Sequence, residues 1–134
     1  MIAALMIAFT VFTGQAKADA VVLPDTPQGK AVQAWVKAFN SGDEKTFLTV
    51  QDELMSPAVL SKRTPEDRAN MFQRMKGDFG TMTIEKVTKA TPQQIKIQVP
   101  TQDGATGTFT FDFEEKAPFK IIGLGIDVQA GGGI

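Results

Sequence analysis

The hydrophobic period of this sequence changes once, near Thr81, from about 3.6 residues to about 2. Ahead of that point, Ala31, Ala34, Trp35, Ala38 and Phe39 fall at i, i+3, i+4, i+7 and i+8, with Lys30, Gln33 and Lys37 off the stripe. This is one apolar face of a helix. Beyond it, Ile95, Ile97 and Val99 alternate with Lys96 and Gln98. Phe109, Phe111 and Phe113 alternate with Thr108, Thr110, Asp112 and Glu114. Strands of this kind have one apolar and one polar face, so helices should cover a single side of their sheet. A helical half followed by a strand half predicts an α+β layer structure.

Three helix starts share one signature. Thr26-Pro27, Ser56-Pro57 and Thr64-Pro65 each set a capping hydroxyl before a proline, whose missing N–H costs nothing at the first helical position. Helices are expected over about 27–39, 44–54, 57–61 and 65–78, the last ended by Gly77 or Gly80. Met82 and Ile84, alternating with Thr81, Thr83 and Glu85, predict a first strand there, and Ile122, Leu124, Ile126 and Val128 form the apolar set of a fourth. Thr91-Pro92, Asp103-Gly104 and Ala117-Pro118 mark short connections, so the four strands should form an antiparallel meander.

Residues 1–20, MIAALMIAFTVFTGQAKADA, read as an export signal. An apolar run from Ile2 to Phe12 is followed by two A-x-A sites, Ala16 to Ala18 and Ala18 to Ala20. The run is shorter than the roughly 20 residues of a membrane span, and no Lys or Arg precedes it. The reading is therefore a signal peptide over 1–20, a single domain over 21–130, and a Gly-rich tail over 131–134, exported to the periplasm or beyond. The mature chain is not expected to insert stably into a membrane. With no cysteine it can form no disulfide, so packing alone must hold it. A net charge of -1 supplies no field for gathering nucleic acid.

The cluster Asn40-Ser41-Gly42-Asp43-Glu44 interrupts the helical pattern. Asn40 or Gly42 can end one helix in the left-handed conformation, and Ser41 or Asp43 can cap the next. Two adjacent carboxylates do not converge as a calcium loop requires, so the cluster reads as a corner. The wider inventory is poor in reactive groups: no His, Tyr or Cys, and serines only at 41, 56 and 61, all at helix boundaries. No hydrolase motif occurs, a zinc site would need three carboxylates, and neither metal nor cofactor is expected. Glu85, Asp112, Glu114 and Asp127 alternate away from the apolar strand residues and read as a solvated sheet face. Lys37, Lys62 and Arg74 lie on polar helical faces, as do Arg63 and Arg68, which could hold a carboxylate.

A helix ending AW-x3-FNSGD, the SP-x-x-L and RTPEDR helix starts, and four strands ending IIGLGI together resemble the NTF2-like, cystatin-like α+β domains of secreted bacterial proteins. The resemblance covers about 24–128. It implies a curved sheet wrapped on the first helix around a cone-shaped apolar cavity, and it implies no particular reaction. Such domains also stand beside serine hydrolases and secreted peptidases. The chain departs from the cystatin inhibitory hairpin, carrying QVPTQDG at 98–104.

Trp35, Phe39, Phe72, Met75, Phe79, Phe109, Phe111 and Phe113 all point to one interior. They either fill the core of a small domain or, with Trp35, Phe39, Phe72, Met75, Phe109, Phe111 and Phe113 as its lining, bound an apolar cavity. The function expected is a non-catalytic exported domain that binds an apolar small molecule or a protein partner. The alternatives are an accessory or inhibitory partner of a secreted hydrolase or peptidase, and a cone-cavity isomerase or dehydratase, which needs a buried acid. Oligomeric state is left open.

Overall fold

The computed structural model describes residues 22–129. The expected signal peptide over 1–20 and the tail over 131–134 lie outside the described residues. Four helices come first: α1 Pro27–Asn40, α2 Glu44–Leu54, α3 Pro57–Leu60 and α4 Pro65–Phe79. Four strands follow: β1 Lys86–Ala90, β2 Gln94–Pro100, β3 Thr106–Phe113 and β4 Ile121–Gln129. The sheet runs in the order β1-β2-β3-β4 with every pair antiparallel, an open curved meander with helices on one face.

The hydroxyl caps form as their residue types dictate. Thr26 Oγ1 accepts from Gly29 N at 3.1 Å, Ser56 Oγ from Val59 N at 3.4 Å, and Thr64 Oγ1 from Asp67 N at 3.0 Å. The Asn-Ser-Gly-Asp-Glu cluster is the α1–α2 corner. Gly42 takes φ 76°, and the Asp43 carboxylate caps α2 by accepting from Thr46 N at 3.1 Å. Gly80, at φ 69°, ends α4.

One strand is displaced from its expected place. Residues 81–85 alternate as a strand should, yet β1 begins at Lys86. The Asn40 side chain, at the end of α1, takes both backbone groups of Met82. Its Nδ2 donates to Met82 O at 2.9 Å, and its Oδ1 accepts from Met82 N at 2.7 Å. With those groups occupied, pairing with β2 starts only at Glu85, whose N–H reaches Gln98 O at 2.8 Å.

The core lies between α1, α2, α4 and the inner face of β2 and β3. Ile95 pairs with Phe111 and Ile97 with Phe109, all four fully buried. Trp35 sits at the centre, 5.3 Å from Phe111, 5.6 Å from Phe109 and 5.5 Å from Phe47 between ring centroids. Offset and edge-on rings at such distances attract beyond the gain from burial alone.

Candidate functional site

The helical layer covers β2 and β3 more fully than β4. At the start of β4 the two layers are stitched together: Ser56 N donates to Ile121 O at 2.9 Å, and Met55 bridges Ile121. A bulge follows, because Phe113 pairs with Ile121 while Asp112 pairs with Gly123, leaving Ile122 as the extra residue. Past the bulge, Leu124 pairs with Phe111 and Ile126 with Phe109, so both stand on the inner face. Their strand partners are buried, but Ile126 is 38% exposed and Leu124 half-buried, as α2, α3 and α4 do not close over them.

The result is a groove of about 510 Å³ between α2–α4 and β4. Met55, Val59, Leu60 and Met71 wall the helical side, and Leu124 and Ile126 the sheet side. Lys62 and Arg63, on the exposed turn after α3, and Arg68, in the first turns of α4, supply positive charge. No Asp or Glu is among the lining residues. Arg68 Nη1 donates to Asp52 Oδ1 at 3.0 Å at the groove margin, while its Nε is buried without a partner. Gln51, also in the lining, is 6% exposed, and its Oε1 has no donor. Two smaller depressions, about 270 and 280 Å³, lie beside Glu53 and Lys120 and beside Gln102 and Asp103.

The residues expected to line a cavity are placed differently. Trp35, Phe39, Phe72, Phe109 and Phe111 are fully inaccessible, and Met75 and Phe113 nearly so; all seven belong to one packed core. None of them lines the groove, which runs alongside that core. The basic residues read from the sequence as able to hold a carboxylate, Arg63 and Arg68, are both brought to it. One signal within the sequence did point here. Phe47, Gln51 and Leu54 fall at i, i+4 and i+7, which puts an uncharged amide on the apolar stripe of α2.

The acids sit elsewhere. Asp112 accepts from Gln94 Nε2 at 2.8 Å, and Glu114 Oε1 accepts from Lys120 N at 2.9 Å. Asp43 and Asp103 have carboxyls held below the usual range, first by the hydroxyls of Thr46 and Thr101 and then by backbone N–H groups; both are at the surface. Ser41, Ser56 and Ser61 act as helix caps. Among the described residues no three carboxylates gather as a metal site would need, and no helix is long and apolar enough to cross a membrane.

In physical terms the fold and groove define a small α+β domain with an open amphipathic cleft, lined by apolar side chains together with three cations. Comparison with protein-family models, with curated proteins and with solved structures finds no match in any of the three.

Proposed function

We propose that this chain is an exported, non-catalytic binding domain of the NTF2-like, cystatin-like kind that holds an apolar small molecule in the groove between α2–α4 and β4. The groove carries the reading. At about 510 Å³ it falls within the roughly 300–1,000 Å³ of small-molecule sites, with mostly apolar walls and a few polar groups. Its lining offers hydrogen-bond donors and positive charge but no carboxylate to act as a base, which favours retention over turnover of the ligand. Export rests on the signal pattern of residues 1–20.

Native mass spectrometry of the full-length chain, expressed in an exporting bacterial host, tests the reading. The expected species is cleaved after Ala18 or Ala20 and carries a small apolar adduct. A bare, uncleaved chain would overturn both halves.

A second reading has one observation in its favour. Ile122, Ile126 and Val128 are 45%, 38% and 49% exposed along β4, an edge strand whose one neighbour in the sheet is β3. Exposed apolar edges are sites of partner association. A secreted hydrolase or peptidase as that partner would bind the wild-type chain and lose affinity for Val128→Lys, as read by size exclusion with purified enzyme.

A further inference from the structure

We infer that the groove is built for an alkyl chain ending in a carboxylate, an inference that rests on the reading of the groove as a small-molecule site. Its lining combines two chemistries. Met55, Met71, Leu124 and Ile126 offer flexible and branched apolar contacts, suited to a chain without fixed shape. Lys62, Arg63 and Arg68 share that lining, and no acid does.

Two buried polar atoms separate a headed ligand from a plain hydrocarbon. Buried polar groups are nearly always hydrogen-bonded. Three side-chain atoms among the described residues break that rule, and two belong to residues lining this groove: Arg68 Nε and Gln51 Oε1. Asp52 engages only Nη1 of Arg68, at 3.0 Å, so the guanidinium keeps a donor for a further acceptor. A carboxylate supplies that acceptor through a charge-assisted hydrogen bond, and the nearby charges of Lys62 and Arg63 reinforce it. The Gln51 amide, with both donor and acceptor, is satisfied by a hydrated head and left stranded by bare hydrocarbon. A cationic head would meet the positive charges of Lys62 and Arg63 beside the Asp52-paired Arg68, and a neutral head would gain no charge-assisted hydrogen bond from any of the three.

Isothermal titration of the full-length protein with decanoate, decanol and decylammonium tests the inference. Decanoate should bind about tenfold or more tightly than decanol, with decylammonium weakest. Arg63→Gln with Arg68→Gln should remove the preference, lowering decanoate to about the affinity of decanol for the same variant. Lys62→Gln with Arg63→Gln, both exposed and outside the Asp52 ion pair, should act in the same direction without disturbing that pair. Equal affinity for decanol and decanoate, or tightest binding of decylammonium, would overturn the carboxylate inference while leaving the groove as a binding site. No binding of any of the three would remove both.

Discussion

Asn40→Ala tests the contact that decides where the sheet begins. The Asn40 amide makes two hydrogen bonds to Met82, at 2.9 and 2.7 Å, joining the end of α1 to the chain that enters β1. Met82 is 3% exposed, so its freed N–H and C=O would find little water in the unrelaxed structure. A typical intramolecular hydrogen bond contributes about 0.5–1.5 kcal/mol net, so two contribute about 2 kcal/mol. Stranding of the Met82 groups would raise that figure, but Asn40 is itself exposed, so water can enter the space its amide leaves. The two corrections oppose each other, and about 2 kcal/mol stands. That lowers the folding equilibrium constant about thirtyfold. Asn40→Asp keeps an acceptor for Met82 N–H but sets a carboxylate oxygen against Met82 O, so it should cost more than nothing and less than Ala. Urea denaturation followed by the fluorescence of Trp35, the single tryptophan, reads both variants, with an unchanged slope as the control for two-state unfolding. Amide exchange at Met82 should quicken in the Ala variant. An Asn40→Ala protein within about 0.5 kcal/mol of wild type, with Met82 exchange unaltered, would refute the reasoning.

Two glycines in helices should respond with opposite sign to alanine. A Cβ on Gly29 would lie 1.9 Å from Pro24 O, so Gly29→Ala should destabilise by about 2 kcal/mol or more despite its better helix propensity. Gly77, exposed in α4 with nothing within 4 Å of an added Cβ, should gain about 0.5–1 kcal/mol; thermal melts compare the two. Phe47→Ala should cost about 3–5 kcal/mol, since the ring is 1% exposed and lies 4.9 Å from Phe72 and 5.5 Å from Trp35; urea midpoints give the value. The Asp43 carboxyl, held below the usual range chiefly by the Thr46 hydroxyl, stabilises the fold above the ordinary carboxylate pKa, and that stability is lost as pH falls through its lowered folded value. Asp43→Asn keeps a capping oxygen and should flatten this acid-side loss in a pH series of urea midpoints.

The parts of the fold legible in the sequence are those set by local chemistry. Thr26, Ser56 and Thr64 cap helices because a hydroxyl before proline has few better uses, and Gly42 and Gly80 turn the chain where a left-handed residue is required. The alternation of Phe109 and Phe111 with Thr108 and Thr110 assigned faces correctly for the same reason. The displaced β1 was not legible, because alternation at 81–85 reports a backbone able to pair and says nothing of a side chain 42 residues earlier that takes the pairing groups first. The site escaped by a related route. Ile126 and Leu124 alternate as core residues do, and their partners Phe109 and Phe111 are buried. Period identifies the face a residue shares, whereas burial depends on whether a second layer reaches that far along the sheet. Here Met55 and Ser56, ahead of α3, meet β4 at Ile121, and after α3 the chain turns through Lys62 and Arg63 into α4. Apolar residues with a core pattern are thereby left beside cations that would otherwise face water alone, and this mismatch between pattern and coverage makes the groove.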